Sequence, residues 1–198
     1  MGVSTGSPRQ LWLLPVLLIT VIATALGGLF ARDLYDPAPP SVPAAVQPPP
    51  TDVPLHEQPG SPEVGGTTEA AAHPLYGVLR PVLQAIFDAI NAKDFQAWAK
   101  HVTQERLDTT PEKDWQNDYE SSRDGSILVY RIEASGDGTA KVLMRFVSTQ
   151  DPEKAPPTMP SKCIEWNVVW AFERSDGQWR LSGGISGKTP NLAPCPGA

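Results

Sequence analysis

The feature that most constrains this chain is a change in the spacing of its apolar residues. Between residues 75 and 102 they recur at steps of three and four, the spacing of one helix face. From residue 126 to residue 181 they occupy every second position, which is typical of half-buried strands. The even positions that carry most of them are Leu128, Tyr130, Ile132, Val142, Met144, Phe146, Ile164, Trp166, Val168, Trp170 and Phe172. A helical segment followed by a sheet is therefore expected.

Turn and cap residues divide these segments into elements. A polar break at residues 91–94 separates a long first helix from a short second one, and Thr110-Pro111 begins a third. Glycines within residues 136–138 and 176–177 supply the positive φ angles that tight hairpins need. We predict an α+β fold in which three N-terminal helices cover one face of a four-strand antiparallel sheet.

Two unusual segments precede this domain. Residues 11–30 are twenty residues without a charge, long enough at about 1.5 Å per residue to span a bilayer's hydrocarbon core. We predict a transmembrane helix there, or alternatively a signal peptide, because Ala23-Thr24-Ala25 has the small-x-small pattern of a cleavage site. Residues 31–73 are predicted to be a Pro-rich disordered linker, since ten prolines lie between positions 37 and 62.

These segments define the predicted organisation and location. Residues 1–10 form a cytoplasmic N-terminus, and residues 74–198 form one folded domain with an irregular C-terminal tail. We expect a single-pass protein of the cell membrane whose C-terminal domain is extracytoplasmic, or a secreted protein if the N-terminal segment is cleaved.

Charge and cysteine content exclude several functions. The net charge is −6 without a basic cluster, which argues against nucleic-acid binding. The two cysteines, Cys163 and Cys195, have neither zinc-site nor Cys-x-x-Cys spacing, so we predict a structural disulfide between them and no metal.

Two segments carry a family resemblance. The helical opening AIFDAINAKDFQAWAKHVTQ and the terminal hairpin WNVVWAFERSDGQWRLSGG resemble the nuclear transport factor 2-like (SnoaL-like) superfamily over residues 76–185. The layout of the whole chain resembles that of membrane-anchored actinobacterial envelope members. The resemblance implies that the helices pack on a curved, cone-shaped sheet. It does not select a function, because the superfamily contains isomerases, dehydratases, hydrolases, transport factors and secretion-system scaffolds.

The alternation of apolar and polar residues along the strands argues against a catalytic site inside the cone-shaped sheet. The superfamily's enzymes hold a carboxylate or His there, whereas every strand position assigned inward is apolar or aromatic, and Glu133, Glu165 and Glu173 fall outward. His101 belongs to the surface of the second helix. We therefore predict no catalytic residue, no cofactor and a binding or scaffold domain. The alternatives are a small-molecule enzyme of the same fold and a component of a secretion or other membrane complex.

The inward aromatic residues are the candidate ligand site. They either line a cavity for an apolar ligand such as a lipid or fill the core. These candidates are Trp98, Trp115, Tyr130, Phe146, Trp166, Trp170 and Trp179. The Pro-rich loop 150–162 is a candidate rim. Other expected partners are the membrane through residues 11–30 and either an envelope protein or a second copy through the outer sheet face.

Overall fold

The structure is a computed structural model that describes residues 53–184 and 190–195. A short 3-10 helix, Leu55–Glu57, comes first. Side-chain caps begin three of the α-helices: Thr67, Asp94 and Thr103 each accept a hydrogen bond from a first-turn backbone amide. The helices are α1 (Thr68–Ala71), α2 (Tyr76–Ala92), α3 (Phe95–Ala99), α4 (Gln104–Asp108) and α5 (Glu112–Tyr119).

One sheet contains every strand of the described residues. The strands are β1 (Gly65–Gly66), β2 (Arg123–Ser135), β3 (Thr139–Thr149), β4 (Cys163–Ser175), β5 (Gln178–Gly184) and β6 (Asn191–Pro194). Their order is β1-β2-β3-β4-β5, and β6 pairs with β4 beyond the end of β5. Only β1 is parallel to its neighbour. Gly138 and Gly177, with φ of 83° and 77°, form the two hairpin turns.

The helices bury their apolar stripe against one face of this sheet, which we call the inner face. Leu83, Ile86 and Phe87 of α2 belong to the same core as Met144 of β3 and Phe172 of β4. All five side chains are almost completely buried. The other, outer face of the sheet carries charged residues, such as the Arg145–Glu165 ion pair, together with apolar ones such as Leu143 and Val169.

The predicted element count is wrong. The sheet has six strands rather than four, and five helices rather than three precede the long strands. β1 is two glycines, which produce no periodicity, and β6 lies in the segment that the sequence assigned to an irregular tail. The helices α1 and α4 have four and five residues, too few to show an apolar stripe.

The predicted single-pass location is also corrected. Within residues 53–184 and 190–195, no helix is long and apolar enough to cross a membrane. The longest helix, α2, has 17 residues, while a spanning helix needs about 20 apolar residues. The predicted segments 1–10 and 11–30 lie outside the described residues.

Part of the predicted linker packs on the domain. Residues 31–52 lie outside the described residues, but residues 59–66 lie along β2. Gly65 and Gly66 pair with β2, and the backbone amide of Ser126 donates to the Ser61 carbonyl at 2.7 Å. Gly125 approaches this segment so closely that a Cβ there would lie 2.7 Å from the Gly60 carbonyl oxygen. This contact fixes the start of β2.

The predicted disulfide is confirmed. Cys163 at the start of β4 is bonded to Cys195, which follows β6, and their Cα atoms are 5.5 Å apart. Both cysteines are buried beside Val147. The bond holds β6 against the edge of β4.

Candidate functional site

A cavity of about 460 Å³ lies between the inner face of the sheet and the helices. Side chains of α2 to α5 form one side of it, and β2 to β5 form the other. The loop 150–162 borders it through residues 154–157. Its volume is within the range of small-molecule pockets, roughly 300–1,000 Å³.

Four stacked aromatic rings form the apolar part of the wall. Phe87 of α2 stacks on Trp170 of β4, with ring centroids 5.4 Å apart and an angle of 15°. Phe146 stacks on Trp166 at 5.8 Å and 5°. The Trp166 Nε1–H donates to the Ser148 hydroxyl at 2.7 Å, which holds that indole in place. Both tryptophans are only half-buried, so a bound molecule could cover their remaining surface.

A buried carboxyl group, Asp124, lies on the wall of the same cavity. Asp124 is 5% exposed, and in the pairing of β2 with β3 it lies opposite Ser148. Ser148 is two positions from the inward Phe146 on β3, so Ser148 and Asp124 belong to the inner face as well. The side chain of Asn91, near the end of α2, fixes its backbone. Asn91 Oδ1 accepts from the Asp124 amide at 2.7 Å, and Asn91 Nδ2 donates to its carbonyl at 3.0 Å. The carboxyl group is therefore held at the polar end of an aromatic cavity.

The surroundings of Asp124 disfavour its charged form. Burial raises the pKa of Asp124 from 3.8 to about 7, and the nearby charge of Lys93 only partly opposes the rise. Lys93 donates instead to the carbonyls of Ile90 and Ser122. No basic group among the described residues lies within 4.0 Å of the Asp124 carboxylate. Near neutral pH, Asp124 can both donate and accept a proton.

Tyr119 and Arg106 add hydrogen-bond donors on the helix side of the cavity. Burial raises the pKa of Tyr119 to about 12, and the negative charge of Asp124 acts in the same direction. The Tyr119 hydroxyl therefore stays protonated at neutral pH. The positive charge of Arg106, which lines the same cavity, partly opposes this rise in the pKa of Tyr119.

The loop 150–162 is tied to α5 beside the cavity. Lys154 Nζ donates to Asn117 Oδ1 at 2.6 Å and lies 3.3 Å from a carboxylate oxygen of Glu120. The Asp151 amide donates to the Ser121 hydroxyl at 3.0 Å. The sequence predicted this loop as a rim, and the structure places residues 154–157 on the cavity wall.

The structure places four of the seven predicted lining residues on the cavity wall and three elsewhere. The four that line the cavity are Trp98, Phe146, Trp166 and Trp170. Trp115 is completely buried against Trp98, with ring centroids 5.6 Å apart. Trp179 borders a separate surface recess beside His101 and Arg180.

Tyr130 does not face the cavity because β2 is irregular. Register shifts occur between Gly125 and Leu128 and between Val129 and Arg131. The second shift makes Tyr130 an extra residue, which leaves it beside Arg131 on the outer face and 37% exposed. Ile127 and Val129 are buried in its place.

The sequence prediction missed Asp124. It assigned only apolar or aromatic residues to the inner face, because the strand was expected to begin at residue 126. The structure begins β2 at Arg123, so Asp124 pairs with Ser148 on the inner face before the first bulge. Asp124-Gly125 resembles a turn in the sequence, so no local signal identifies this aspartate.

The described residues offer no obvious metal site. Within residues 53–184 and 190–195, no group of three or more His, Cys, Asp or Glu side chains is placed to hold a metal ion.

Comparisons with known proteins identify no family. No family model matches the chain, and no curated protein is significantly similar to it. A SEC-C motif containing protein from Rhodopseudomonas palustris, known from a solution structure, is similar over 62% of this chain and 84% of its own length. The identity is 16% and the TM-score is 0.46, and at that TM-score we draw nothing from the likeness.

Proposed function

We propose that the protein binds a small, largely apolar molecule in the cavity between the sheet and the helices. The observation that carries the proposal is the combination of half-buried aromatic faces with one buried carboxyl group. Trp166 and Trp170 offer area for a planar apolar body, and Asp124 offers one polar contact. Few polar groups on a mainly apolar wall are typical of small-molecule sites.

The experiment is a fluorescence titration of the full chain with N-phenyl-1-naphthylamine, a neutral and planar apolar probe. Wild-type protein should bind it, and Trp170→Ala should weaken binding at least tenfold because the stacked wall is lost. Trp179→Ala removes the same indole from outside the cavity and is the matched control. Equal affinities for all three proteins, or no binding to the wild type, would contradict the proposal.

A second candidate function is proton transfer. It is favoured by the proximity of the Asp124 pKa, about 7, to neutral pH, which suits a general base. Asp124 would take a proton from carbon beside a bound carbonyl group, and the Tyr119 hydroxyl would donate to the developing oxyanion.

This second function has a direct test. In D2O, proton NMR follows exchange at the α-carbon of 2-tetralone, a planar apolar ketone. Wild-type protein should accelerate exchange, Asp124→Asn should not, and Asp88→Asn should behave like the wild type because Asp88 lies on the exposed side of α2. Exchange unchanged by Asp124→Asn would exclude this role.

We also propose membership of the nuclear transport factor 2-like superfamily. The order of the chain supports it, since helices precede long antiparallel strands and an aromatic cavity lies between them. An experimental structure of the full chain tests this proposal, and a strand order without counterpart in that superfamily would reject it.

A further inference from the structure

Arg106 is the one cavity-lining cation whose charge is unmatched in the described part of the chain. It is the third residue of α4 and lines the cavity with Tyr119 and Gly183. Lys154, the other cation on the cavity wall, is paired with Glu120, and three arginines elsewhere are also paired: Arg80 with Glu63, Arg131 with Glu69 and Arg145 with Glu165. No such pair involves Arg106 among residues 53–184 and 190–195, and residues 185–189 contain no acidic side chain.

One hydrogen-bond donor of Arg106 is unused as well. Its Nε is buried and has no hydrogen-bond partner among the described residues. A guanidinium group has five N–H donors in a planar fork that matches a carboxylate. An N–H donor that is buried without a hydrogen-bond partner is costly, so the position of this donor is better explained by a ligand group than by the fold.

The end of β5 leaves room beside this guanidinium. Arg106 Nη1 is 3.5 Å from the position that a Cβ of Gly183 would occupy. Gly184, the next residue, lies opposite Trp170 across β4 and β5, and a Cβ there would meet nothing within 4 Å. A ligand can therefore contact Trp170 with its ring and reach toward Arg106 over two residues without side chains.

We propose that Arg106 anchors an acidic group of the ligand, so that the cavity takes an apolar or aromatic carboxylic acid. This inference rests on the proposed small-molecule function of the same cavity. Asp124 does not oppose such a ligand strongly, because a carboxyl with its raised pKa is partly neutral near pH 7. Arg106 then selects for charge, while the stacked rings select for an apolar body.

The test compares two probes that share one ring system. 1-Anilinonaphthalene-8-sulfonate carries an anionic group that stands for the carboxylate, and N-phenyl-1-naphthylamine lacks it. Both are titrated into the full chain by fluorescence. For Arg106→Gln we expect about a tenfold loss of affinity for the sulfonate, as for one lost charge-assisted hydrogen bond, and less than a twofold change for the neutral probe.

Two further variants keep the result interpretable. Arg106→Lys keeps the charge and should recover part of the sulfonate affinity even if the glutamine variant is poorly folded. Arg174→Gln removes the same charge at the exposed end of β4 and should bind both probes like the wild type.

The outcomes separate this inference from the proposed function. If Arg106→Gln leaves sulfonate binding unchanged while Trp170→Ala abolishes binding of both probes, the anionic site is refuted and the apolar cavity stands. If wild-type protein binds neither probe, or Trp170→Ala changes neither affinity, the small-molecule function itself fails. Equal losses of both probes in Arg106→Gln, with none recovered in Arg106→Lys, would assign Arg106 a structural role only.

Discussion

Replacing Asp124 by asparagine should change how stability depends on pH. In the native state burial raises the pKa of Asp124 to about 7, whereas in the unfolded chain the group returns to the ordinary value of 3.8. Between these values the native protein holds a proton that the unfolded chain has released. The native state is therefore favoured at the acidic end, and the stabilisation is lost as the pH rises toward 7.

The magnitude follows from the two pKa values. Each pH unit between them corresponds to about 1.4 kcal/mol, so the whole window corresponds to about 4 kcal/mol. Asparagine has nearly the same shape and does not titrate. The free energy of unfolding of Asp124→Asn, minus that of the wild type, should therefore rise by up to about 4 kcal/mol between pH 4 and pH 8.

Urea unfolding at a series of pH values, followed by tryptophan fluorescence, measures this difference. Contributions from every other titrating group cancel between the two proteins if their environments are unchanged. The variant Asp88→Asn removes an exposed charge of the same sign and controls for net charge. Parallel stability curves for wild type and Asp124→Asn from pH 4 to pH 8 would refute the reasoning, since they would show that Asp124 is not desolvated.

Two substitutions and the reduction of the disulfide test the architecture around the site. Gly125→Ala should destabilise the protein by about 1–3 kcal/mol, because its Cβ would lie 2.7 Å and 2.8 Å from the carbonyl oxygens of Gly60 and Pro59. Chemical denaturation measures this loss. Gly136→Ala is the control, because a Cβ at Gly136 would meet open space. Asn91→Ala should cost about 1–3 kcal/mol because it removes both hydrogen bonds to the Asp124 backbone, and a loss below 0.5 kcal/mol by the same assay would contradict that role. Reducing the Cys163–Cys195 bond, which spans 32 positions, should cost about 3–4 kcal/mol by the loop-entropy relation; an unchanged midpoint of thermal unfolding after reduction would count against it.

The apolar periodicity of the sequence was most informative where elements are long and regular. The spacing of Leu79, Leu83 and Ile86 predicted α2, and the alternation from Ile164 to Phe172 predicted β4. Elements of two to five residues, such as β1 and α4, carry too few positions for either period to emerge. The number of strands and helices was wrong for that reason.

The candidate site was predictable only on its aromatic side. Trp166 and Trp170 belong to an unbroken alternation of apolar residues along β4, so the sequence could assign both side chains to the inner face of the sheet. The assignment failed in β2, where the bulges place Tyr130 on the outer face and where the strand begins early enough to put Asp124 on the inner one. Bulges depend on contacts with distant segments, here the approach of residues 59–61 to Gly125 and Ser126, and these contacts have no local signature.

Native mass spectrometry of the full chain, purified under oxidising conditions, tests the central claim most directly. We expect wild-type protein to carry a bound small molecule, or to take up added N-phenyl-1-naphthylamine in a one-to-one ratio. The bound mass should disappear in Trp170→Ala and persist in Trp179→Ala. A wild-type protein that carries no ligand and takes up no probe would contradict the assignment of this cavity as a binding site.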